Sequence, residues 1–166
     1  MAGLITELLS LLADESSLYE RLIGSALSKK EVIVKNDIAS LKMINVEENS
    51  LIGKLQKLER RRSVLIRDIA QVLNEKESGI TITYLASAVS DRNDAEALGG
   101  AAVKLDAQLS RLKEVNELNR ALIENSIDYI NFSVNVIRSS ADDSPYYCSP
   151  TGDDVSEGTS FLNIMH

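Results

Sequence analysis

The sequence predicts an all-α chain: an elongated antiparallel three-helix bundle with a short connecting helix and a flexible C-terminal tail. Three observations carry that prediction. Apolar residues step by threes and fours through three long stretches. The first two stretches are separated by only a tight turn, and both prolines, Pro145 and Pro150, fall in the last segment.

The first helix is expected over about residues 2–35. Ile5, Leu8, Leu12, Tyr19, Leu22, Ala26 and Ile33 form its stripe, and Leu4, Leu11 and Leu18 widen it. A stripe that broad suits contact with two neighbours. Glu15 and Lys29 interrupt it. Lys35-Asn36-Asp37 then reads as a reversal, because Asn tolerates the left-handed conformation at a helix end and Asp37 can cap the next helix. So short a connection makes the first two helices antiparallel neighbours.

The second helix is expected over about 38–76, with a seam of Leu41, Ile44, Leu51, Leu55, Leu58, Leu65, Ile69 and Val72. At 1.5 Å per residue the stretch Ile38–Leu73 is roughly 50 Å long and cannot bury its stripe alone. Glu48 and Arg62 break this seam. A reversal at residue 36 sets residues level when their numbers sum to about 73, which brings Arg62 within a turn of Glu15 and Glu48 near residue 25.

Ser78-Gly79 ends the pattern. Ile80 to Thr83 reads as an extended linker, and Thr83 as the cap of a short helix over 84–89 whose Leu85 and Val89 close one end of the bundle. Asn93 with Glu96 reads as a capping box opening the third long helix, 94–138. Its expected seam is Leu98, Ala102, Leu105, Leu109, Leu112, Asn116, Asn119, Ile123, Ser126, Ile130, Ser133 and Ile137, flanked by Val115, Leu122, Tyr129 and Val136. Gly99-Gly100 suggests fraying or a close backbone approach, since each Gly costs about 1 kcal/mol relative to Ala in a helix.

Composition divides the chain near Ser139. Residues 1–138 are nearly neutral, whereas 139–166 hold Asp142, Asp143, Asp153, Asp154 and Glu157 with no Lys or Arg. The first part is expected to be the bundle and the second an acidic, largely disordered tail. The overall charge of −7 argues against a nucleic-acid partner. No stretch has the roughly 18 apolar residues of a membrane span. One cysteine, Cys148, and an N-terminus without the basic flank of a signal peptide predict a cytoplasmic protein.

The residues able to carry chemistry are few. Glu15 and Glu48 are seam carboxylates, but a di-metal centre in a bundle also needs Glu-x-x-His motifs, and the only histidine is His166. Glu15, Glu48 and Arg62 are better read as polar positions that set register. Arg60-Arg61-Arg62 fan around the helix and form no single patch. Asn116 and Asn119 place two amides on one face, for register or for meeting a partner helix. With no nucleophile–base pair, metal set or phosphate loop, neither an enzyme nor a cofactor is expected. Tyr146, Tyr147 and Phe161 stand in the tail, where they serve no core and fit anchors that fold on binding. Phe161, Leu162, Ile164 and Met165 make a second short apolar cluster there.

Taken in order, these features resemble the FlgN family of flagellar export chaperones. The residues that carry the resemblance are Leu8, Tyr19 and Leu22, the Asn36-Asp37 reversal, Leu55-x-x-Leu58-Glu59-x-x-Arg62, Asn116-x-x-Asn119-x-x-Leu122-Ile123, and Tyr147-Cys148-Ser149-Pro150-Thr151-Gly152. The resemblance implies binding of hook–filament junction proteins of the FlgK and FlgL types in the cytoplasm and delivery to the export gate protein FlhA. It implies client contact through Asn116, Asn119, Leu122, Ile123, Tyr129, Ile130, Phe132, Ile137, Phe161 and Leu162. It also implies gate docking through a tail tyrosine, with Gly152 nearby. Cys148 stands where the family usually has Gly, and the Tyr-to-Gly spacing is one longer, so Tyr146 and Tyr147 both remain candidates. The alternatives are a coiled-coil scaffold, which would self-associate into a homodimer, and another regulator of the flagellar export apparatus.

Overall fold

The computed structural model describes residues 2–142, and among them the regular elements are helices. They are α1 (Ala2–Val34), α2 (Ile38–Leu73), a 3₁₀ turn (Glu77–Gly79), α3 (Ile82–Ala88) and α4 (Arg92–Asp142). The chain divides into two units, Met1–Tyr129 and Ile130–His166, and the division falls inside α4.

In the first unit α1 and α2 form an antiparallel hairpin. Asn36 turns it at φ 55°, the Asn36 amide donates to the Ile33 carbonyl at 3.0 Å, and the Asp37 amide donates to Val32 at 3.1 Å. These two bonds satisfy carbonyls that the helix end would otherwise leave bare. Asp37 then caps α2, its Oδ1 accepting from the Ser40 amide at 3.0 Å.

Helix boundaries differ from the sequence expectation wherever a different side chain does the capping. α2 stops at Leu73 rather than 76 because Asn74 takes φ 55° and the Glu75 amide returns to the Ala70 carbonyl. α3 begins at Ile82, not Tyr84, because Thr81 rather than Thr83 accepts from the Tyr84 amide at 3.0 Å. α4 begins at Arg92 because Asp91 Oδ1 accepts from the Asn93 and Asp94 amides at 2.8 and 3.3 Å. Glu96 pairs with Arg92, so no capping box joins it to Asn93. At the other end α4 runs to Asp142 rather than 138.

One core cluster gathers Ile5, Leu8 and Leu12 of α1, Leu65, Ile69 and Ala70 of α2, Ile80, Leu85 of α3 and Leu98 of α4. α3 therefore contributes a buried leucine to the same core as three longer helices. A second cluster joins Leu22 to Leu51 and Leu55, with Leu18, Tyr19 and Leu112 packed against it. Val72, expected in the α2 seam, is exposed, and Ala70 is buried in its place.

α4 lies alongside α1 in the same direction, since Gln108 bonds to Ser16 and Asn119 to Ala26, both residue numbers rising together. Its buried seam runs through Leu98, Gln108, Val115 and Asn119, with Ala101, Leu105, Leu112, Leu122 and Ser126 half-buried between them. The expected seam omitted Gln108, carried Val115 and Leu122 only as flanks, and took Leu109, Asn116 and Ile123. Those three are exposed, one residue and about 100° around the helix. The sequence offered a leucine beside a glutamine, and the glutamine went inside because its amide finds partners there. Gly99 and Gly100 neither fray nor admit a close approach. Both are helical, and a Cβ at either would meet nothing within 4 Å.

Candidate functional site

The four charged residues that interrupt the α1 and α2 stripes meet in two pairs. Arg62 Nε lies 3.1 Å from Glu15 Oε1, an ion pair that approaches off the hydrogen-bond direction. Lys29 Nζ donates to Glu48 Oε2. Glu48 thus faces Lys29, one turn from the expected residue 25, because residues four apart share a face and long side chains reach along the axis. Exposed pairs lean the opposite way, Glu7 with Arg61 and Arg21 with Glu47.

Glu15 is 2% exposed and Arg62 30%. Burial pushes the Glu15 carboxyl above its ordinary range; Arg62 opposes the shift and Glu59 adds to it. Burial also raises the Tyr19 hydroxyl, with Glu59 and Glu15 contributing. Around them Glu15, Tyr19, Arg62, Ile66, Ile80 and Leu105 help line an open hollow of about 680 Å³. Among the described residues, no group of three or more His, Cys, Asp or Glu side chains could hold a metal ion.

Two side-chain amides and one exposed ion pair join α4 to α1. Gln108 Nε2 donates to the Ser16 carbonyl and to Glu20 Oε1, each at 3.2 Å. Lys104 adds an exposed pair to Glu20 at 2.9 Å. Asn119 is buried and donates to the Ala26 carbonyl at 2.7 Å. Asn116 is exposed, so the two asparagines do not form one ladder. Both nevertheless line a hollow of about 450 Å³ with Lys29, Glu48, Arg120, Ile123 and Glu124. Gln108 is the site residue that periodicity overlooked, and Lys29 was marked as a break in the α1 stripe without a partner being assigned to it. The signal for Gln108 was its place in a series at 101, 108, 115 and 122.

Towards its C-terminal end α4 changes character. Within the first unit Leu118, Ile123, Ile127 and Tyr129 are exposed, and Leu122 is half-buried. At an offset of 92 to 93 residues, the last residue of α1, Val34, comes level with Ile127. In the second unit Ile130, Phe132, Val134, Val136 and Ile137 are all exposed, Ile137 at 68%. Ile130, Val134 and Ile137 are spaced four and three apart, the step of a coiled-coil stripe, and share one side of the helix. Periodicity passed over Val134 because it stepped from Ile130 to Ile137 through Ser133, the residue before it.

Of the expected client-contacting residues, therefore, Asn119 faces α1, Leu122 is half-buried, and Asn116, Ile123, Tyr129, Ile130, Phe132 and Ile137 are exposed. Tyr146, Tyr147, Gly152, Phe161 and Leu162 lie outside the described residues. No helix among the described residues is long and apolar enough to cross a membrane.

No curated protein and no solved structure matches the chain. The family model described as FlgN protein matches residues 1–151, from α1 through Tyr146 and Tyr147 but short of Gly152. With nine-tenths of its length so matched, the chain belongs to the FlgN family, a family of flagellar export chaperones.

Proposed function

We propose that this chain works in the cytoplasm as the export chaperone of hook–filament junction proteins of the FlgK and FlgL types. It holds off their premature assembly and presents them to the export gate protein FlhA. The observation that carries the reading is the run of exposed apolar side chains near the end of α4, in a helix whose earlier turns are buried against α1. A concentration of exposed apolar side chains on a protein with a buried core supports reading the region as a place where something else binds. An amphipathic client helix laid on such a face would be read by anchors spaced three and four apart.

In this reading Ile123, Tyr129, Ile130, Phe132 and Ile137 contact the client, joined by Leu122 and Asn116 at the edge and by Phe161 and Leu162 of the tail. Asn119, together with Glu15, Glu48 and Arg62, sets the register of the bundle. Tyr146 or Tyr147, with Gly152, docks at the gate. The net charge of −7 argues against a nucleic-acid partner in this reading.

Titration calorimetry against a junction protein tests the client surface. An Ile130→Asp/Ile137→Asp chain should bind at least about tenfold more weakly, a loss of about 1.4 kcal/mol, with its helicity unchanged. Equal affinity overturns the surface. Deleting residues 139–166 should leave melting nearly intact, abolish binding to FlhA and weaken client capture; unchanged affinity for both partners overturns the whole reading.

The stripe Ile130–Val134–Ile137 also favours a second reading, a scaffold that pairs with its own copy into a homodimer. Light scattering across a concentration series separates the two, because only the scaffold doubles its mass without a client.

A further inference from the structure

The face just described has a candidate occupant in the same chain. Ile130, Val134 and Ile137 span about 10 Å of α4 at 1.5 Å per residue, and all three are exposed. Ser160 to Met165 places Phe161, Leu162, Ile164 and Met165 in a run of six, and six helical residues are about 9 Å long. We propose that this segment docks in cis on the Ile130–Val134–Ile137 stripe in the free protein, so that a client has to displace it. The displacement half of the inference rests on the proposed client surface; the docking itself does not.

Reach and concentration favour this occupant. Residues 143–159 separate the segment from α4, and they are mostly polar and acidic, with Pro145, Pro150 and the two tyrosines among them. A flexible chain of that length has an end-to-end distance of about 23 Å. The middle of the stripe, Val134, lies only about 12 Å back along the helix from Asp142. A tether of this kind gives an effective concentration in the millimolar range, which a free second copy seldom reaches. The stripe is also only two turns long, against the roughly 800 Å² per partner that a stable dimer buries. Four apolar side chains with no core of their own are better matched to it than a second bundle.

Hydrogen exchange read by mass spectrometry tests the docking without any client. In the full chain, Phe161→Ser/Leu162→Ser should accelerate exchange at the amides of residues 130–138 about threefold or more, while residues 2–126 stay unchanged. A chain ending at Thr159 should show the same acceleration, and a synthetic peptide of residues 156–166 should reverse it. Equal exchange in the parent and both variants overturns the proposal. So does protection of 130–138 that strengthens with protein concentration, which would place a second copy there. Failure to bind a junction protein leaves these rates untouched, so the two readings fail separately.

Discussion

The Asn119 side chain donates to the Ala26 main-chain carbonyl at 2.7 Å, tying the middle of α4 to the last third of α1. Its neighbour one turn back, Asn116, is exposed and has no such role. Asn119→Ala should lower the urea unfolding free energy by about 1–2 kcal/mol, and Asn116→Ala should stay within about 0.5 kcal/mol of the parent. Equal losses would mean that the buried amide contributes nothing of its own.

Glu15 makes stability depend on pH in a stated direction. Burial raises its carboxyl above the ordinary value, so the fold favours the protonated form. Its contribution is therefore fully present below the ordinary carboxyl range and is lost as pH rises through the raised value. Glu15→Gln is neutral throughout, and half-exposed Arg62 can turn to water. The variant should melt higher than the parent near neutrality, with the gap closing at about pH 4. A gap of the same size at both pH values would contradict the assignment.

Gly99 and Gly100 sit in open helix, where a methyl group meets nothing. Gly100→Ala should stabilise the chain by about 0.5–1 kcal/mol. A denaturation midpoint that falls would reveal a need for glycine that the geometry does not show.

α3 is short, but Leu85 is 1% exposed in the core it shares with Ile69 and Leu98. Leu85→Ala should cost about 2–5 kcal/mol, far more than Val89→Ala at the end of the same helix. Chemical denaturation of both variants checks the contrast.

The sequence made some of this legible and concealed the rest for physical reasons. Asn36 and Asp37 were readable because a left-handed turn and a cap each demand particular side chains. The Glu15–Arg62 meeting followed from the antiparallel turn. Leu98, Leu105, Leu112 and Asn119 of the α4 seam were readable from spacing, but Gln108 was missed because it and Leu109 compete for the interior. Hydrophobicity alone chooses Leu109, whereas the carbonyl of Ser16 and the carboxylate of Glu20 choose Gln108. Lys29 went unmatched for a similar reason, as its reach along the helix axis is invisible to periodicity. The stripe through Val134 is read from the exposure of Ile130, Val134 and Ile137, which periodicity does not report.

Glu15 and Lys29 stand two heptads apart on α1, and Glu48 and Arg62 stand two heptads apart on α2. The hairpin sets each acid against a base. Repetitive leucine seams tolerate sliding, because every heptad offers a similar surface. Here a slide of one heptad leaves all four charges facing leucines in one direction, and all but Glu48 facing apolar residues in the other. A slide of two sets Glu15 against Glu48 in one direction, or Lys29 against Arg62 in the other. In the proposed register-setting role, the pairs would work as a combination lock on a hairpin that leucines alone would leave free to slip, whether or not either pair adds to its stability.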